Sequence, residues 1–305
     1  MSVTLDNSNV SKVLGQVVDY PDQYDPSILV REPRQGNRKH LDISDDDPPF
    51  VGCDIWNAYE MSCLTKKGQP VTGIAKIQYP ATNKYIVESK SIKLYFNSFN
   101  MTRLGETQEE AIADLTERAE QDLSALLETD VRITIFSPDY ISNRSNPVSY
   151  FSKYHTVETD TDMMDGLEFD KYTETPELLL ENKRSAGRVV TQKLHSSLLK
   201  SNCRVTNQPD WGDVYIYMES TSLLDYKDFA KYVVSYRDEC HFHEEICETF
   251  YKRLWDLYRP ERLAVTCLYA RRGGIDINPV RVSHVNLFNN NLIDMEQPFI
   301  KTPRQ

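Results

Sequence analysis

The chain has 305 residues and a net charge of −11 at neutral pH, from 46 acidic and 35 basic side chains, with 40% apolar content. A length of this order suits about two domains, and the charge argues against a nucleic-acid partner, because gripping phosphates takes a Lys/Arg surface. No stretch reaches the ~20 consecutive apolar residues of a membrane-spanning helix, and the start MSVTLDNSNVSK lacks a basic-then-apolar leader pattern, so the expectation is a cytoplasmic protein with no membrane partner.

Residues 1–50 are polar and rich in Pro, Asp and Arg, and read as an extended arm without a core of its own. The first folded unit is expected over 51–137. Phe50 to Leu64 and Val71 to Tyr79 read as strands joined by the turn Lys67-Gly68-Gln69-Pro70. Ser89 to Phe99 has helical spacing of Ile92, Leu94, Tyr95, Phe96 and Phe99. Thr107 to Glu128 is a helix with Ala111, Leu115, Ala119, Leu123 and Leu126 as its apolar stripe, and Thr107 with Glu110 as a capping box. Val131 to Phe136 returns as a strand. The stretch 138–188, with its acidic run VETDTDMMDGLEFD, is poor in core residues and reads as a linker.

The order then recurs over 189–283, followed by a tail, 284–305, with no role read for it. Asp213 to Glu219 is a strand, Lys227 to Arg237 a helix, Phe242 to Tyr258 a longer helix and Leu263 to Tyr269 a strand. Gly273-Gly274 turns the chain into Ile275 to Val282. Gly68-Gln69-Pro70 matches Asn207-Gln208-Pro209, and SIKLYFNSF (91–99) matches DFAKYVVSY (228–236) in apolar character. Two copies of one ββααβ-type unit point to duplication. Their polar residues have diverged: Val71 stands where Asp210 does, so one site drawing on both halves is expected, of overall α+β class.

The densest chemistry lies in SNCRVTNQPDWG, Ser201 to Gly212. A cysteine is a useful nucleophile only as thiolate, which a neighbour or helix end must favour, and a carboxyl group beyond a turn is placed to move a proton. Gln208-Pro209-Asp210 reads as that turn. Trp211 is expected to wall off Asp210, raise its pKa by desolvation and keep it protonated as a general acid. Taken alone, the same spacing also describes an ordinary buried cysteine. The six cysteines form no CxxC and the six histidines no HxxxH or HExxH. His241 and His243 lie two apart and so point to different sides of a helix, so no metal site is expected, and the cysteines read as free thiols.

Four motifs in order, VESKSIKLYFNSF (87–99), SNCRVTNQPDWG, FHEE (242–245) and RRGGIDINP (271–279), resemble one family, the NADPH-dependent 7-cyano-7-deazaguanine reductases of the queuosine pathway in their two-module form. The resemblance runs from about Gly15 to about Val282. It implies tandem tunnelling-fold modules, an antiparallel sheet with helices on one face, and a homodimer. It also implies Cys203 as nucleophile and Asp210 as proton donor, with the deazaguanine held by Val87, Glu88, Ser89, His243 and Glu244. A carboxylate such as Glu244 suits a guanine-like edge, since it accepts two parallel N–H bonds. There is no GxGxxG, so NADPH, two per turnover, falls to Ser89, Lys90, Arg272 and Gly273. Two alternatives use the same scaffold: a deazapurine-binding module without chemistry, and an amidine-forming transferase acting on the same nitrile. Intact Cys203 and Asp210 argue against the first, and the acidic charge and the 88–96 motif against the second.

Overall fold

A computed structural model describes residues 23–136, 150–160, 164, 167–288 and 290–296. The arm before residue 23, where the family resemblance begins, lies outside the described residues, as do 137–149, part of the acidic run and the end of the tail. Strands β2 (Val51–Thr65), β3 (Pro70–Pro80) and β6 (Arg132–Phe136) build the first unit with helices α2 (Ser89–Ser98) and α3 (Gln108–Leu127). Strands β8 (Arg184–Cys203), β9 (Pro209–Leu223), β11 (Arg262–Tyr269) and β12 (Ile275–Val282) build the second with α4 (Tyr226–Val234) and α5 (His243–Tyr258). All lie in one sheet, in the order β8-β9-β11-β12-β2-β3-β6, every neighbouring pair antiparallel, and the two-residue strands β5 (Arg103–Leu104), β7 (His155–Thr156) and β10 (Cys240–His241) add parallel to β2, β8 and β8. The seam between units is the β12–β2 pair, with Ile277 opposite Trp56 and Val280 opposite Cys53.

Side chains alternate across a strand, and that alternation sorts the cores. Trp56, Ala58, Val71, Ala75 and Ile77 pack under α2 and α3 with Ala111, Leu115, Ala119 and Leu123. Leu194, Leu199, Val214, Ile216, Val265 and Cys267 pack under α4 and α5 with Phe229, Tyr232, Ile246 and Phe250. Alternate residues of the same strands, Cys53, Ile55, Tyr215, Leu268 and Val280, meet Phe151 and Leu292 on the other face. The helices thus occupy one face, the arrangement expected of tandem tunnelling-fold modules. Thr107 caps α3 through its Oγ1, which accepts from Glu110 N at 3.2 Å, while the Glu110 carboxylate reaches back to Glu106 N in place of Thr107 N.

Four expectations need correction. β8 begins at Arg184, ahead of the boundary drawn at 189, and fills what read as linker and loop. Asp210 does not sit in a turn: Pro209 opens β9, and the hairpin bends at Arg204–Gln208, closed by Cys203 N to Gln208 O at 2.8 Å with Asn207 left-handed at φ 54°. The linker adds to the core, for Leu178 and Leu179 pack with the second unit and Glu174 accepts from Tyr232 and Arg253. The arm is built in as well. Its strand β1 (Arg31–Pro33) pairs with β4 (Tyr85–Val87), and helix α1 (Gln35–His40) buries Asn37 and Arg38.

That arm completes a buried ion network. Arg34 pairs with Asp54; Arg38 reaches Glu248 at 2.8 Å; Arg281 reaches Asp54 at 2.8 Å and Glu248 at 3.0 Å. Gly52 makes room for it, since a Cβ there would sit 2.3 Å from Val280 O and 3.0 Å from Arg281 Cδ. Burial pushes the Asp54 and Glu248 carboxyls up, but Arg281 and the other guanidiniums outweigh it and hold both below their ordinary 3.8 and 4.5. Replacing Arg281 by Ala leaves two buried carboxylates short of a partner, and urea denaturation at pH 7 should show a loss of about 3–5 kcal/mol. Because both folded values are depressed, the gap between native and variant is full above pH 4.5. It narrows as pH falls through the folded values. A loss under ~1 kcal/mol at pH 7 would sink this account.

Candidate active site at the seam

A cavity of about 320 Å³ opens on the helix face where the two units meet. All ten residues singled out in the sequence line it: Val87, Glu88, Ser89, Lys90, Cys203, Asp210, His243, Glu244, Arg272 and Gly273. Three local features bring them together. β4 leads into α2, so 87–90 form the approach and first turn of that helix; Glu88 caps it, accepting from Lys90 N at 2.9 Å and Ser91 N at 2.7 Å. His243 and Glu244 open α5. Cys203 ends β8, and Asp210 stands opposite Ser201 in the ladder, so alternation sets Cys203 and Asp210 on the same face. In the first unit the matching strand ends at Thr65, whose N–H donates to Gln69 O as Cys203 N does to Gln208 O.

Asp210 has distant partners. Arg272 pairs with one carboxylate oxygen, and His243 Nε2 lies 3.3 Å from the other. Burial is the largest single influence and pushes its carboxyl up, yet the hydrogen bonds and charges of His243 and Arg272 together hold it below the usual carboxylate range. The expectation of a raised pKa is therefore not met. Trp211 gives no wall: it points to the opposite sheet face, 39% exposed, with the Arg237 guanidinium 5.5 Å from its ring. His243 is stacked on Tyr269 at 3.8 Å between centroids, which fixes the imidazole plane.

Glu244 is the opposite case. It is buried, its Oε1 has no hydrogen-bond partner among the described residues, and its carboxyl is pushed up to about 8, first by burial and then by the charge of Asp54, against the pull of Arg34 and Arg281. His243 Nδ1 and Trp56 Nε1 are likewise buried with no partner among the described residues. Such groups at a cavity point to a ligand that completes them. His241, which the sequence set aside as a metal candidate, lines the cavity between Glu239 and Glu245 at 3.0 and 3.3 Å. Burial lowers its pKa, but the two carboxylates outweigh it and push it up to about 9. Among the described residues no group of three His, Cys, Asp or Glu is arranged to hold a metal.

Family models match the chain in two stretches: one described as "Nitrile reductase, 7-cyano-7-deazaguanine-reductase N-term" over residues 20–135, and "QueF-like protein" over 209–286. An NADPH-dependent 7-cyano-7-deazaguanine reductase of Coxiella burnetii is 38% identical over 269 residues, covering 88% of this chain and 90% of its own. The chain belongs to the 7-cyano-7-deazaguanine reductase family. A second such reductase, from Paracidovorax citrulli, is 40% identical over 276 residues, covering 89% of this chain and 92% of its own. A crystal structure of an apo archaeosine synthase, QueF-Like, aligns with a TM-score of 0.29 at 22% identity, over 33% of this chain and 99% of that one. In this reductase-family chain, Val87 to Lys90 fall in the first matched stretch and Asp210, His243, Glu244, Arg272 and Gly273 in the second, while Cys203 lies between them.

The rim of the cavity suits an anionic dinucleotide. Lys90 and Lys93 stand one helical turn apart on α2, and Gly273, left-handed at φ 56°, leaves open a place 3.3 Å from Lys93 Nζ that a Cβ would fill. Arg272 and Gly273–Gly274 form the two-residue turn, with Arg272 N to Ile275 O at 2.9 Å and positive φ at both glycines. Lys93, Trp56 and His241 were not assigned to the site from the sequence. Lys93 was within reach, at i+3 from Lys90; nothing local marks the other two.

The raised Glu244 carboxyl has a measurable consequence. Between pH 4.5 and about 8 the folded state keeps a proton that the unfolded state has released, so native stability falls with rising pH in that window. Glu244→Gln removes the titration. Its melting temperature should exceed the native value by several degrees at pH 8.5 and by much less at pH 5; an equal offset at both values would contradict burial as the cause.

Proposed function

We propose that the protein reduces the nitrile of 7-cyano-7-deazaguanine to the primary amine, 7-aminomethyl-7-deazaguanine, through a thioimide on Cys203, in the cytoplasm. The observation that carries this reading is the joining of a half-buried thiol, a paired Asp210–His243 and an unpartnered Glu244 in one cavity. Glu244, once it has released to solvent the proton that burial holds on it, accepts the base's ring N–H and exocyclic amine as a carboxylate; His243, Val87, Glu88 and Ser89 frame it. Cys203 sulfur adds to the nitrile carbon as a proton reaches the nitrile nitrogen, which gives the neutral thioimide. NADPH, held by Ser89, Lys90, Arg272 and Gly273, supplies hydride when bound, twice per turnover. After the first reduction the C–S bond breaks, Cys203 leaves as thiolate and regains its proton, and the imine stays in the cavity for the second.

Asp210 is held ionised, so it must gain a proton before giving one. Burial already favours the protonated form and is opposed by His243 and Arg272. A cofactor phosphate held by Arg272 would remove one of those opponents, and the carboxyl would then shift toward the donor state. The Asp210–His243 contact at 3.3 Å gives the proton a second carrier. Trapping the base outside bulk solvent also keeps the imine from hydrolysis.

Intact mass spectrometry after mixing with 7-cyano-7-deazaguanine, without NADPH, tests this. The native protein should gain the mass of the base, the Cys203→Ala variant should not, and its reductase rate should fall by roughly 10³-fold or more. Base bound without a covalent adduct would move the assignment to the binding module. The same samples sprayed under native conditions read the homodimer that the family resemblance implies, at twice 35.4 kDa.

A further inference from the structure

Trp56 belongs to β2, beside Asp54 on the helix face and opposite Ile277 of β12, so it stands at the seam itself. It is 1% exposed, lines the cavity with Ile275 and Ile277, and its indole N–H has no acceptor among the described residues. A buried N–H without a partner is uncommon in folded proteins and costs most of its desolvation free energy. An apolar ring of similar size would fill this position without that cost. Two positions along the same strand and face, Asp54 bears electrostatically on Glu244, so donor and acceptor share one neighbourhood.

We propose that the Trp56 indole N–H reads the base, donating to the C6 carbonyl oxygen while Glu244 takes the adjacent ring N–H and the amine. This rests on the reading of the cavity as a deazaguanine site. The chemistry of the edge supports it. A guanine-type base presents, side by side, one acceptor and two donors, and the cavity offers in complement one unpartnered donor, Trp56 Nε1, and a carboxylate with an unpartnered oxygen, Glu244. An adenine-type base would set an amino group against the indole N–H and lose the ring N–H that Glu244 needs. Discrimination by leaving buried polar groups unpaired is stronger than discrimination by shape. Trp56 is thus a specificity residue, set where the first unit's core meets the cavity.

Titration calorimetry on the Cys203→Ala protein, with and without Trp56→Phe, tests this using 7-cyano-7-deazaguanine and its 6-thio analogue, a weaker acceptor with both N–H groups intact. The phenylalanine variant should bind the oxo base about tenfold more weakly, and the oxo-over-thio preference should collapse. Equal losses for both bases, or no loss, would overturn the assignment. Should the variant fold poorly, the three indole N–H signals of the otherwise native protein, assigned with Trp211→Phe and Trp255→Phe, give a second reading. The Trp56 proton must move downfield with the oxo base and less with the thio base; an unmoved signal refutes the contact. Failure of the Cys203→Ala protein to bind either base would refute the deazaguanine reading itself, and is thereby distinguished from failure of the Trp56 assignment alone.

Discussion

Five buried charged side chains, Arg34, Arg38, Asp54, Glu248 and Arg281, hold the two units and the arm in one register. They come from four places: two from the arm, one from the first strand of the first unit, one from α5 and one from β12. Charges buried this deeply are tolerated only when every one meets an opposite charge and fills its hydrogen-bonding capacity. The geometry is therefore close to all-or-nothing. A hydrophobic seam would let one unit slide along the other by a pleat; this network permits one register, and the cavity depends on it.

The same network sets the electrostatics of the site. Within it, three guanidiniums face two fully buried carboxylates, with Asp45 as a partly exposed third at 3.1 Å from Arg38. Glu244 is close enough to feel both signs: Asp54 raises its pKa, Arg34 and Arg281 lower it, and burial decides the balance. Fold stability and ligand recognition are thus coupled through Asp54. The duplicated units differ in what they bring to the seam. At the matching hairpins, Gly68 and Asn207 share the left-handed conformation, and Thr65 and Cys203 share the closing hydrogen bond, but only the second unit carries a thiol and a carboxylate there. The first unit contributes its helix start, Glu88 to Lys90, with Trp56 and Lys93.

Periodicity made most of the architecture legible. α3 and α5 follow from their apolar stripes, and the strands β2, β3, β9, β11 and β12 from runs of β-forming apolar residues, β11 and β12 being buried on both faces. β8 was not legible: RSAGRVVTQKLHSSLLKSNC mixes Ser, Lys and Arg through its length, both faces are largely exposed near its start, and an irregularity between Ser196 and Leu199 breaks the alternation. α1 was hidden for a different reason. QGNRKH has no apolar stripe, since what it buries is Asn37 and Arg38, stabilised by charges from residues far away in sequence. Asp210 failed for the same cause: local reading saw Trp211 beside it, whereas Arg272 and His243, brought in by the sheet and α5, decide its ionisation. The motifs named residues that the fold gathers around one cavity; their protonation states were not legible, because those depend on tertiary partners.

The cavity carries a donor, Trp56 Nε1, and two further ring or carboxylate atoms, His243 Nδ1 and Glu244 Oε1, buried and with no hydrogen-bond partner among the described residues. Native proteins retain such groups where function holds them against the stability they forfeit. The rigid stack of His243 on Tyr269 and the paired Asp210 keep these atoms from relaxing toward one another. A base that pairs them would recover free energy that folding left unclaimed, without any large rearrangement. That recovery also stabilises the folded chain by mass action. A base that mismatches them recovers none of it, and leaves the same atoms buried a second time. Selectivity in this site then follows from the polar groups that folding leaves incomplete, more than from the shape of the cavity that surrounds them.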